Sequence, residues 1–142
     1  MTIDADRIRS KLNDIGKALK RLRAFQPLSR KEFLQSEDNQ DIARSRLLTG
    51  IEAALNVCYQ LSAKKLNQVP EDYADCFIGL GRAGLIPQDL ASRLASMAKF
   101  RNRLVHLYWD IDYEQVYEII CNDLGDLESF MQEVGKLLSE ER

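Results

Sequence analysis

Apolar positions recur every three or four residues along most of this chain, the period of helices rather than of strands. From Asp4 to about Phe25, residues Ile8, Leu12, Ile15, Leu19 and Leu22 line one side of a helix, with charged residues between them. The stretch QPLSRKEFLQSED reads as a turn and a short helix, in which Ser29 and Glu32 make a capping box. A long helix is expected from Asn39 or Gln40 to about Leu66. Its segment LLTGIEAALNVCYQLSA is apolar around most of its circumference, which marks the central, most buried helix. Gly50 within it permits close approach by a neighbour. A short helix from about Asp72 to Arg82 ends at Gly84. Pro87 opens the next, where its missing N–H costs little, and that helix runs from about Gln88 to Leu107. WDID breaks the pattern, and Asp112 can cap a last helix from Tyr113 to about Leu138. The sequence contains no strand alternation, internal repeat or interdomain linker. The expected fold is all-α, an antiparallel helical bundle forming a single domain over residues 1–142.

Composition keeps that picture and narrows the function. Of 142 residues, 45% are hydrophobic and 30% charged, the balance of a soluble globular chain. A net charge of −2 excludes a generally basic nucleic-acid coater, so any contact with RNA must be a local patch. Cations cluster in RIRSKLNDIGKALKRLR, read as a solvated helix face, and again in KFRNR. No apolar run is long enough for a bilayer, and the opening MTIDADRIRSK is too charged for a secretory signal, so no membrane contact and a cytoplasmic location are expected. Cys58, Cys76 and Cys121 are odd in number and widely spaced. They are read as buried free thiols rather than as a disulfide framework or a zinc knuckle.

The candidate chemistry lies in KFRNRLVHLYWD, residues 99–110, which holds the one histidine of the chain. Leu90, Leu94, Met97, Arg101, Leu104 and Tyr108 form a continuous helical seam, interrupted only by the charge of Arg101. A guanidinium there needs a carboxylate such as Glu52 or Asp75, a rim position, or an anionic ligand. His106 follows Asn102 by four residues, so Asn102 can orient the imidazole. Arg101 and His106 are five residues apart, roughly 140° of rotation, and do not point the same way on an ideal helix. They converge only if the helix distorts, if Arg101 bends round, or across an interface. Arg93, Lys99 and Arg103 can extend a basic rim or simply be solvated. Trp109 is read as a hydrophobic plug at the helix end, with stacking on a base as the other reading. Asp110 and Asp112 read as caps or charge partners. With one histidine they make no convincing metal site.

The extended stretch FRNRLVHLYWDID resembles the signature of HEPN-domain proteins, in particular the HepT toxins of prokaryotic toxin–antitoxin pairs. The family motif, Arg, four residues, His, one residue, Tyr, with a polar residue after the Arg, is met by Arg101, Asn102, His106 and Tyr108. The flanking YADCFIGLGRAGLIPQDLASRLASMAKF and DYEQVYEII are also similar to the family, so the likeness covers roughly the second half of the chain. The resemblance implies a HEPN-like bundle that dimerises about a two-fold axis so that two motifs face one cleft. It implies metal-independent ribonuclease activity on tRNA or mRNA with no cofactor. It further implies a partner, a minimal nucleotidyltransferase antitoxin of the MntA kind, which silences the toxin by adenylylating Tyr108.

The residues suit that chemistry. Metal-free RNA cleavage needs a base for the ribose 2′-hydroxyl, an acid for the leaving 5′-oxygen and cationic support for the phosphorane. Histidine serves as acid or base near neutral pH. If both roles require histidine, one chain falls short and a two-fold dimer supplies two. Arg101 would clamp the phosphate, Asn102 would position His106 or a phosphate oxygen, and AMP on Tyr108 would place bulk and negative charge beside Arg101. The competing reading is a non-catalytic helical scaffold or nucleotide-binding subunit for a nucleotidyltransferase. A third is a plain bundle in which Arg101 and His106 can be replaced without functional effect.

Overall fold

The computed structural model describes residues 3–140 and, of Tyr108, the backbone alone. The described residues form seven α-helices and one 3₁₀ turn: α1 (Ala5–Arg23), α2 (Arg30–Leu34), α3 (Glu37–Lys65), α4 (Tyr73–Arg82), α5 (Gln88–His106), the 3₁₀ turn (Tyr108–Asp110), α6 (Tyr113–Asn122) and α7 (Leu124–Glu140). The fold is an all-α antiparallel bundle, as the periodicity predicts.

Local chemistry sets the helix starts. Asp4, Ser36, Asp72 and Asp112 each accept a backbone N–H of the first turn that follows. Ser29 and Glu32 complete their reciprocal box at α2. α3 is the spine. It buries Leu47, Ile51, Leu55, Cys58 and Leu61, and its Gly50, Ala53 and Ala54 are also buried. A methyl placed on Gly50 would stand 3.4 Å from Ala18 Cβ on α1 and 3.5 Å from Leu127 Cδ1 on α7, so two helices close on α3 at this point. Phe33, Phe77 and Phe130 are wholly buried, and the last two meet edge to face at 5.6 Å. Each such side chain contributes roughly 1.5–3 kcal/mol of burial.

α4 and α5 form the hairpin that carries the candidate site. Gly84 takes φ +76°, and the amides of Gly84 and Leu85 return to the carbonyls of Gly81 and Leu80. Gly81 lies so close to α5 that a Cβ on it would stand 2.6 Å from Ala91 Cβ. Pro87 occupies the N-cap of α5 and hands the chain directly into the motif helix.

Three expectations are corrected. The last helix is two helices: α6 ends at Asn122 and α7 begins at Leu124. Asn122, Asp123 and Gly125 are poor helix interiors, and Asp123 stops α6 as its C-cap while its own carbonyl accepts from Asp126. The cysteines are not three buried free thiols. Cys58 on α3 is bonded to Cys76 on α4 as a disulfide, and Cys121 is free and exposed. Linear spacing could not show that the packing of α4 on α3 brings two buried sulfurs together. Trp109 does not plug the helix end. It is 70% exposed, while Leu104 on α5 is wholly buried.

Candidate active site at the end of the motif helix

Arg101 sits one and a half turns before the end of α5, its side chain 13% exposed. Glu52 resolves its charge, one of the two carboxylates expected. Nε donates to Glu52 Oε1 at 2.6 Å, and Nη2 lies 2.6 Å from the same oxygen. Nη1 donates to Asn102 Oδ1 at 3.2 Å. The guanidinium carbon lies 4.7 Å from the centre of the Tyr73 ring on α4, a cation–π contact. Three neighbours thus fix the head group. Three of its five N–H groups are committed, and two remain, enough for a two-point contact with a phosphate.

His106 is the last residue of α5, and it is exposed. α5 continues unbroken to that point, so Arg101 is turned inward to α3 and α4 while His106 stands at the helix tip. Within one chain the structure brings Arg101 together with Asn102 but not with His106. Asn102 accepts from Arg101 through its oxygen, and no hydrogen bond joins it to the imidazole among the described residues. Beyond His106, Leu107 leaves helical geometry at φ −124°, ψ 40°, and its carbonyl accepts from Asp110 at 2.8 Å. The backbone of Tyr108 opens the 3₁₀ turn there; its side chain, the modification site that the resemblance implies, lies outside the described residues.

The rim cations differ sharply. Arg93 is held by Asp126 at 2.8 Å and Asp89 at 3.2 Å, and its hydrogen bond keeps the Asp89 carboxyl below the usual range. It lines a groove of about 220 Å³ with Met97, Phe100 and Asp123. Arg103 donates to Gln115 on α6 at 3.3 Å. Lys99 has no ion-pair partner among the described residues. It lines a cavity of about 430 Å³ with Asn102, Ala98, Tyr59, Tyr73, Ala74, Glu71 and Asp72. Asp112 caps α6 as expected.

Sequence reasoning missed Tyr73, Tyr59 and Arg44. Arg44 on α3 donates to the Leu104 carbonyl at 3.2 Å, satisfying an end group of the motif helix with a cation. Glu52 had a visible signal, as the lone acid in the apolar segment of α3. The tyrosines had none, since residues 59, 73 and 101 meet only through the packing of α3, α4 and α5. Among the described residues, no group of three or more His, Cys, Asp or Glu is placed to hold a metal ion, and no helix is long and apolar enough to cross a membrane.

Comparison with known proteins places the chain's sequence and fold. The sequence model of the family described as "Ribonuclease HepT-like" matches residues 15–134. A "tRNA nuclease HepT" of Aphanizomenon flos-aquae is 29% identical over 131 residues, covering 92% of this chain and 89% of that protein. An "mRNA nuclease HepT" of Shewanella oneidensis is 26% identical over 126 residues, covering 89% and 94%. The solved structure of a tri-AMPylated Shewanella oneidensis HEPN toxin in complex with an MNT antitoxin superposes with TM-score 0.84 at 25% identity, covering 96% of this chain and 99% of that one.

Proposed function

The chain belongs to the ribonuclease HepT-like family, the ribonuclease toxins of toxin–antitoxin pairs, and from that premise we propose that it cleaves tRNA or mRNA at a composite site built from Arg101 and His106 of two chains. One observation carries this reading. Arg101 is pinned by Glu52, Asn102 and Tyr73 with two N–H groups to spare, while His106 stands exposed at the tip of the same helix and turned away from it. A second copy related by a two-fold axis supplies what one chain separates: an imidazole opposite the fixed guanidinium.

In that site His106 of one chain takes the proton of the ribose 2′-hydroxyl. The oxygen attacks the adjacent phosphorus, the bond from phosphorus to O5′ breaks, and His106 of the second chain protonates the departing oxygen. The products are a 2′,3′-cyclic phosphate and a 5′-hydroxyl, and no metal enters the balance. Arg101 binds the non-bridging oxygens and gains as charge builds on them. Asn102 acts on Arg101 rather than on His106. Lys99 and Arg103 serve the RNA backbone as a rim. Arg93 serves it least, because two carboxylates already occupy it.

The whole chain works as one HEPN-like helical domain in the cytoplasm, beside a minimal nucleotidyltransferase antitoxin. That partner transfers AMP to Tyr108: the phenolic oxygen attacks the α-phosphate of ATP, pyrophosphate leaves and the phenolic proton is lost. Tyr108 follows the last residue of α5 by two positions, at the same end of the motif helix as His106, so the added phosphodiester would bring negative charge and bulk to the substrate's place at that end.

The test is cleavage of total tRNA and mRNA in excess EDTA by protein whose mass shows no AMP adduct. Wild type should leave cyclic or 3′-phosphate ends, and His106→Ala should leave RNA intact. Mixing Arg101→Ala with His106→Ala should restore no activity, because every mixed dimer lacks one of the two histidines the step requires. Restoration to about a quarter of wild type, the level reached when half the dimers hold one arginine and the opposite histidine intact, would show that one histidine suffices. Cleavage by His106→Ala alone would overturn the assignment, and RNA left intact by wild type would favour the scaffold reading.

A further inference from the structure

We propose that the cavity beside Arg101, walled by Tyr59 and Tyr73 and bordered by Lys99 and Asn102, is a nucleobase site that holds the base of a nucleotide next to the scissile phosphate. This rests on the reading of the chain as a ribonuclease and adds a substrate subsite to it.

Four side chains lining this one cavity of about 430 Å³ carry a polar group that no described residue satisfies. They are the hydroxyls of Tyr59 and Tyr73, the ammonium of Lys99 and the amide nitrogen of Asn102. The last follows from donor chemistry: a guanidinium has only donors, so the Asn102 oxygen must face Arg101 and its NH₂ group is left over. Burial raises the Tyr59 phenol above its ordinary range, with Tyr73 and Asp72 adding to the effect, so it stays protonated and available as a donor. The groove around Arg93 shows the contrast, since its cation is bound twice over by carboxylates.

The shape of the set suits a base and its phosphate. The two tyrosine rings stand at 88° with centres 5.9 Å apart, an aromatic corner rather than a closed stack. Arg101 does not itself line the cavity, but two residues that do, Tyr73 and Asn102, hold its guanidinium, so an occupant of this corner lies one side chain from the group that would clamp the phosphate. Aromatic platforms of this kind hold unpaired bases in single-stranded RNA. Lys99 meets the backbone phosphate, and Asn102 donates to a ring nitrogen or carbonyl. Glu71 and Asp72 line the same cavity and accept only, which favours bases that carry an exocyclic amino group over uracil.

The experiment uses His106→Ala protein as the uncleaving parent and 2′-O-methyl tetranucleotides, whose attacking hydroxyl is blocked. Binding is read by fluorescence anisotropy as the base at each position is varied and as salt is raised. AMP is titrated in parallel. Replacing Tyr73 by Leu in this parent should weaken oligonucleotide binding about tenfold and Tyr59→Leu several-fold. Lys99→Gln should lower the slope of log affinity against log salt by about 0.7. One position should disfavour uridine. Because Tyr73→Leu also unstacks Arg101 and can lose the fold, Tyr59→Leu and Lys99→Gln decide the matter if circular dichroism shows it unfolded. Folded variants that bind like the parent, with an unchanged salt slope, would overturn the site. A parent that binds AMP but no oligonucleotide, with AMP binding lost in the same variants, would support the base site and overturn RNA as its source. A parent that binds neither would overturn both.

Discussion

Glu52→Gln is the sharpest test of how Arg101 is held. The substitution keeps volume and one acceptor but removes the negative charge that meets Nε and Nη2 of Arg101. The guanidinium is 13% exposed and the carboxylate 43%, so the pair is neither dry nor fully solvated. A hydrogen bond to a charged group contributes about 1.5–3 kcal/mol, and an exposed ion pair well under 1. Solvent screening at Glu52 places this pair at about 1 kcal/mol, and in a chain of this size that lowers Tm by about 3–4 °C. The catalytic effect should exceed the thermal one. If Glu52 serves to hold the guanidinium at a fixed position, a loosened Arg101 slows kcat about tenfold, while KM for RNA is unchanged or lower because the freed cation binds phosphate more readily. Glu52→Asp, with the charge but one methylene less reach, should lie between. The assays are thermal denaturation and steady-state cleavage of one defined RNA. Wild-type Tm together with wild-type kcat would refute the reasoning, for Arg101 would then need no partner. A lowered Tm with unchanged kcat would confine Glu52 to stability.

Gly81→Ala should destabilise the chain by about 1–3 kcal/mol in a denaturant melt, because the new methyl would meet Ala91 Cβ at 2.6 Å and force α4 from α5; an unchanged midpoint would show that the helices part freely. Asp123→Asn should raise Tm at pH 7 by no more than about a degree, because the side chain is exposed and solvent screens the effect. Burial, with Asp126 and Glu118 nearby, raises the Asp123 carboxyl, so the folded chain holds its proton more tightly than the unfolded one, and stability falls as pH rises through the folded value. The gain must therefore vanish below the ordinary carboxylate range, and a gain that persists at low pH would contradict the cause. Thiol titration of unfolded, unreduced protein should find one free thiol, Cys121, and reduction should cost about 3 kcal/mol for a sequence separation of 18 residues. Three thiols before reduction would contradict the Cys58–Cys76 bond.

Local signals carried the fold. Capping residues, Pro87 and Gly84 all lie beside the boundaries they suggest, because each acts on its own turn of backbone. The break at Asp123 is hidden in the sequence because the apolar period runs on through Leu124 and Leu127 across a short polar interruption. The Cys58–Cys76 bond and the exposure of Trp109 escaped for a different reason. Both depend on which helices touch, and no spacing along the chain encodes that. The candidate site divides the same way. Arg101 announced itself as a charge in an apolar seam, and Glu52 as a charge in an apolar helix; each is conspicuous locally, and their meeting is what the two anomalies demand. Tyr59 and Tyr73 are unremarkable in sequence, since an aromatic residue on a half-buried helix face explains itself by packing.

In the proposed two-chain site the two halves of the motif answer different physical demands. A group that stabilises developing charge works best when it is already in place, since reorganising it during the reaction would consume the gain. Arg101 meets that demand with an acid, an amide and a ring, all on rigid helices. A group that gives and takes protons must reach its substrate and exchange with solvent between turnovers, and His106 at an exposed helix tip can do both. Five residues of helix keep the two apart by roughly 140°. The same rotation that lets Arg101 face its own bundle turns His106 outward. A helix that met both demands on one face would have to bury its imidazole or expose its guanidinium. Separating them within a chain and rejoining them across a two-fold axis avoids that conflict, and this is why the proposed site is built from two copies.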